Sequence, residues 1–188
     1  MIFCRSFRLL RLAAAVFLAS GAEAQIGGAG QVRQEDDLRA ALVLGFARFT
    51  EWPVAPEGPL VIGVLGRPAM AAALERMAAG KTVHGQGVVV KLLRKPAQMA
   101  GCRIVYIGRL PGPLLVEAMG EALGRVLTIG EEDRFLAVGG AVYLFEEDGR
   151  MSFEVNLAAL RSINVAISSK LLRLGYTSGA IRRGRGAP

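Results

Sequence analysis

Few side chains in this 188-residue sequence are equipped for bond-making chemistry. His84 is the only histidine and stands in Thr82-Val83-His84-Gly85. A charge-relay nucleophile would need a Ser or Cys delivered to it, and no G-x-S-x-G elbow is present to expose one. Gly80-Lys81-Thr82 has the ending of a phosphate-binding loop, but position 75, where the first glycine belongs, holds Glu75. Ser168 and Lys170 are two residues apart, a spacing that separates them around a helix. One His with two Cys falls short of the usual zinc set. No catalytic residue, metal site or cofactor site is expected, and the chain is read as a non-enzyme.

The remaining polar and aromatic candidates suit binding. Glu146, Glu147 and Asp148 cluster where a solvated turn belongs. Glu154 alternates with Phe153 and Val155, so it faces away from them on a strand. Asn164 interrupts an apolar stripe, either as a satisfied buried amide or as a partner-specific contact. Trp52 is either a core anchor or an interface hot spot.

The elements that must position these residues converge on Gly139 to Gly175. The runs Ala141–Phe145 and Met151–Val155 flank Glu147-Asp148-Gly149, a hairpin signal because glycine accepts the positive φ of tight turns. Asn156 is placed to cap a helix. Leu157, Leu160, Asn164, Ile167, Leu171 and Leu174 then alternate at three and four residues, predicting one long amphipathic helix closed by Gly175. Upstream, helices are predicted over 35–49, 69–79 and 113–123. Strands are predicted over 60–65, 88–93, 102–107 and 126–129, with Phe135–Val138 leading into the hairpin. Leu38, Leu42, Phe46 and Phe49 mark the expected inner face of the first helix.

Alternating helices and strands ending in a hairpin predict an α/β layered sandwich: a mixed sheet, helices on both faces, and the long helix last. The expected division is a signal peptide over 1–24, a flexible lead-in over 25–34, the α/β domain over 35–176 and a basic Gly-rich tail over 177–188. Arg5, Arg8 and Arg11 precede the short apolar run Leu12–Ala19, and Ala22-Glu23-Ala24 fits a small-x-small cleavage site before Gln25. An uncleaved anchor is the alternative.

The leader holds three arginines and one glutamate, so its loss takes the net charge from +7 to +5. Arg182, Arg183 and Arg185 of the tail carry part of what remains. No basic face interleaved with aromatics appears, which argues against nucleic acid as a partner. Cys4 leaves with the leader, so Cys102 has no intramolecular disulfide partner and the fold stands on its apolar core.

Seven blocks in order resemble the YfiR family over roughly Asp37 to Gly175. Phe46-Ala47-Arg48-Phe49-Thr50-Glu51-Trp52-Pro53 is similar to its N-F-x-K-F-x-E-W-P signature, with Gly45 in place of the Asn. Leu60–Gly66, Cys102–Ile107 and Leu127–Gly130 resemble its strands. Gly139-Gly140, Phe153-Glu154-Val155-Asn156 and Ile167-Ser168-Ser169-Lys170-Leu171-Leu172 resemble its G-G, F-E-I-N and I-S-S-x-L-L blocks.

The resemblance implies a periplasmic regulator that binds and inhibits an inner-membrane diguanylate cyclase, lowering cyclic di-GMP and biofilm formation. It also implies sequestration by an outer-membrane lipoprotein and a homodimer. Family disulfides have no counterpart here. Expected partner contacts are Trp52, Phe135, Glu154, Asn164 and Lys170. The alternative is a periplasmic sensor that binds a small apolar or aromatic ligand and reports it to a membrane partner.

Overall fold

A computed structural model describes residues 24–53 and 58–177. The expected leader (apart from Ala24) and all but the first residue of the expected tail lie outside these residues. The chain runs α1 (Ala24–Phe49), β1 (Thr50–Glu51), β2 (Leu60–Leu65), α2 (Pro68–Ala78), β3 (Thr82–Val83), β4 (Gln86–Leu93), a 3-10 turn (Pro96–Met99) and β5 (Ile104–Ile107). It continues through α3 (Gly112–Ala122), β6 (Leu127–Gly130), β7 (Val142–Glu147), β8 (Arg150–Val155), α4 (Leu157–Ser162), β9 (Ala166–Ile167), α5 (Ser169–Leu172) and β10 (Tyr176–Thr177).

Eight strands form one mixed sheet in the order β10-β8-β7-β6-β5-β2-β4-β3. Its centre is parallel: β2 pairs with β4 and β5, and β5 with β6. All four residues of β5 and of β6 are buried, as expected of parallel strands covered on both faces. Ile62, Val64, Ile104 and Tyr106 join α1 and α2 in one apolar cluster. Val105 and Ile107, on the opposite side of β5, join Leu115, Ala118 and Met119 of α3 in a second. The β7–β8 hairpin turns at Asp148 and Gly149, with φ of 51° and 71°. Both values are positive, as a two-residue turn matching the strand twist requires.

Two expectations change. First, the long terminal helix is broken into α4, β9 and α5. Asn164 adopts φ 53° in the connection, is exposed, and ends helical propagation just where the apolar stripe seemed continuous. Periodicity persists because Leu160, Ile167 and Leu171 still face the core from separate short elements. Leu174 is 76% exposed. Second, residues 25–34 belong to α1, and the helix buries Asp36, Ala40, Val43, Phe46 and Ala47. Leu38 and Phe49 lie outside, so the buried face is rotated from the one hydrophobicity marks, because Asp36 points inward to a charge partner. Phe135–Val138, expected to lead into the hairpin, forms a turn before it. Its Phe135 ring lies where any side chain on Gly130 or Gly140 would collide with it.

The strand pair β1–β9 was not anticipated. It places Thr50 opposite Ile167 and Glu51 opposite Ala166, joining the end of α1 to the C-terminal segment.

A left-handed backbone at Asn164 is strained for β-branched residues and free for glycine. Asn164→Val is expected to lower stability by about 1–2 kcal/mol while Asn164→Gly leaves it unchanged or higher. Urea unfolding of the two variants checks this; equal midpoints would refute it.

Candidate functional site

The groups capable of chemistry are dispersed. His84 is exposed at the β3–β4 turn with φ 52°. Ser168 caps α5, its hydroxyl accepting from the backbone N–H of Lys170 at 3.3 Å. Lys170 is exposed. Cys102 is free and buried, and burial pushes its thiol pKa up against a smaller opposing effect of Lys91. Among the described residues no group of three or more His, Cys, Asp or Glu is placed to hold a metal ion.

What the fold does bring together is a partly buried ion cluster beyond the carboxyl ends of β2 and β6. Arg67 follows β2, Glu131 follows β6, and Asp36 and Arg39 come from α1. Arg67 donates through Nε to Asp36 at 2.7 Å and through Nη1 to both Glu131 oxygens at 2.9 Å. Arg39 pairs with Glu131 at 3.3 Å and with Glu35 at 3.1 Å. The Asp36 and Glu131 side chains are only 3% and 4% exposed, so these ion pairs are largely shielded from water. Burial alone would lower the Arg67 pKa, but Glu131 and then Asp36 outweigh it and hold it raised. Tyr106, on β5, is buried nearby with no well-aligned hydrogen bond to its hydroxyl; burial first, then Glu131, push its pKa up. The cluster has the form of a clamp: it locks α1 to two strand ends.

The second assembly lies at the β10 end of the sheet. Alternation on β7 sends Val142 and Leu144 into the core and leaves Tyr143 and Phe145 on the other face. Their rings stack at 5.2 Å, and Phe145 stacks on Tyr176 of β10 at 6.1 Å. Both tyrosine hydroxyls are anchored: Tyr143 donates to Asp133 at 2.6 Å and Tyr176 to Glu147 at 2.8 Å. Glu154 is opposite both tyrosines in register, so this predicted contact residue joins the aromatic face. A half-exposed aromatic plate held in place by hydrogen bonds is suited to protein recognition, because little side-chain freedom is lost on contact.

The other predicted contacts fall elsewhere. Trp52 is half-buried against the core, with the Arg103 guanidinium 5.3 Å from its ring centroid. Glu51 and Pro53 beside it are exposed, and Asn164, Ser169 and Lys170 are exposed around β9. Phe135 is fully buried, which corrects its expected place on a contact surface: it is needed to fill the space above Gly130 and Gly140. Phe46 meets Phe153 edge-on at 5.0 Å in the core. Asn156 caps α4, accepting from the Ala158 and Ala159 N–H groups at 3.1 and 3.2 Å. The ion cluster and the aromatic plate were not singled out from sequence. Strict alternation at Tyr143 and Phe145, and inward spacing of Asp36 with Arg39, were the available signals. Tyr176 lay hidden beyond the expected helix end.

Residues 36–176, the span carrying both assemblies, match the family described as YfiR/HmsC-like, DUF4154. The chain belongs to that family. Its members are regulators, and the family is periplasmic. A conserved domain protein from Vibrio cholerae O1 biovar El Tor strain N16961 has a similar fold, with a TM-score of 0.52 at 13% identity. The likeness covers 76% of this chain and 59% of that protein, so this YfiR/HmsC-like chain spans little more than half of its structural neighbour. No curated protein matches the sequence. Among the described residues no helix is long and apolar enough to cross a membrane.

Removing one member of a buried ion network strands the others. Arg67→Met is expected to cost about 3 kcal/mol, the low end of the range for buried pairs because this side chain is 23% exposed. Arg67→Met with Asp36→Leu should destabilise by less than the two single changes added, as measured by urea unfolding; strict additivity would show that the two do not act together. Separately, the buried thiol of Cys102 should react with a disulfide reagent only as fast as the protein opens. Rapid labelling of the native protein at neutral pH would contradict the buried placement.

Proposed function

We propose that this YfiR/HmsC-like protein binds the periplasmic region of an inner-membrane diguanylate cyclase and holds it inactive, lowering cyclic di-GMP and biofilm formation. The observation that carries the reading is the anchored aromatic plate of Tyr143, Phe145 and Tyr176. Restraint by binding needs a rigid, partly apolar surface and no bond-making group. Three aromatic rings at one end of the sheet, with Glu154 on the same face, supply a contact area of that kind. Trp52, Asn164 and Lys170 mark a second, smaller surface around β1 and β9. In the same reading the leader is removed near Ala24-Gln25, the mature protein is a non-enzymatic homodimer, and an outer-membrane lipoprotein sequesters it.

Deleting the gene in a host that carries the cyclase should raise cyclic di-GMP, and the wild-type chain should restore the low level. Tyr176→Glu together with Phe145→Ser should fail to restore it while folding and reaching the periplasm at normal abundance. Full restoration by that variant would remove the aromatic plate from the contact. Unchanged cyclic di-GMP on deletion would reject cyclase restraint itself.

A further inference from the structure

A groove of about 180 Å³ lies away from both assemblies, between the C-terminal halves of α1 and α2 and the β3–β4 hairpin. Its walls are apolar: Ala41, Leu44, Phe49, Met77, Val83 and Val88. Two cations, Arg48 and Lys81, stand in the lining, and no carboxylate does. Both are exposed, and neither side chain makes a hydrogen bond or ion pair among the described residues. Phe49 is 42% exposed here, a large apolar side chain left uncovered beside two positive charges.

Gly45 completes the pattern. It lies within α1, where glycine is disfavoured relative to alanine. Neither of the usual reasons applies: its φ is not positive, and a Cβ placed there would meet nothing within 4 Å. The missing side chain leaves the groove open at its α1 wall.

We propose that this groove binds small amphipathic carboxylates, the apolar body lying against Leu44, Val83 and Val88 and the carboxylate between Arg48 and Lys81. The volume holds about six groups of water size, at roughly 30 Å³ each, which suits a short alkyl chain or a single aromatic ring. Charge selects the headgroup: two unpaired cations favour an anion, and the absence of a lining carboxylate leaves nothing to attract an amine. Apolar area supplies the remaining affinity. The inference stands on the groove alone and is independent of cyclase restraint, so either can fail without the other.

Octanoate titrated into the full-length mature protein, followed by amide chemical shifts, tests it. Saturable shifts are expected at Leu44, Gly45 and Val83, with octylammonium and acetate producing none. Arg48→Ala with Lys81→Ala should weaken octanoate binding by about fivefold or more. Gly45→Leu, whose Cβ meets nothing within 4 Å and whose branched end would occupy the groove, should weaken it by more than about tenfold while leaving the protein at least as heat-stable. Equal binding of octylammonium, unsaturable shifts, or undiminished binding by a folded Gly45→Leu variant would each overturn the proposal.

Discussion

Two carboxylates almost sealed from water set the terms for the rest of this structure. Asp36 and Glu131 lie far apart in the sequence, and Arg67 and Arg39 lie directly against them. Ionised groups removed from water demand compensation at close range, with little tolerance for displacement. The helix α1, the turn after β2 and the turn after β6 are therefore fixed relative to one another by directional bonds. Apolar packing, which is less particular about geometry, fills the space behind them. Ala40, Val43 and Phe46 of α1 join residues of β2 and β5 in one apolar cluster.

Much of this architecture was readable from residue pattern. The strands β2, β4, β5 and β6, the helices α2 and α3 and the β7–β8 hairpin fall within a few residues of where periodicity and turn chemistry place them. Those signals are local: a buried run such as Ile104–Ile107 or the Asp148-Gly149 turn needs no distant partner to be recognised. The failures share one cause, which is dependence on remote contacts. The apolar stripe after Asn156 is genuine, yet it is spread over α4, β9 and α5 because Asn164 takes a left-handed conformation and β9 pairs with β1. The inner face of α1 is misjudged by hydrophobicity because an aspartate occupies it, justified only by Arg67 thirty-one residues later. Phe135 looks like a loop aromatic until the two glycines beneath it are brought together.

The binding surfaces were less legible than the fold. Glu154 was correctly set on the face opposite Phe153, but its aromatic neighbours arrive from β7 and from β10, and the latter strand lies beyond the last element that periodicity could justify. Ordered sequence blocks established kinship instead. Family motifs here are mostly architectural. Phe46, Phe153 and Asn156 pack or cap, while the plate of Tyr143, Phe145 and Tyr176 lies largely outside the recognised blocks.

The short pairing of β1 with β9 has a consequence for biogenesis. It ties residue 50 to residue 167, and the helix preceding it packs against Phe153. In a chain emerging N-terminus first, α2 can cover part of α1 early, but the β8 and β9 segments that complete its surroundings come far later. Loop closure over so great a separation delays completion of the tertiary structure until nearly all of the domain has emerged. Until then the Phe46 side of α1 lacks its late partner Phe153, and the unfinished chain is a substrate for holding chaperones.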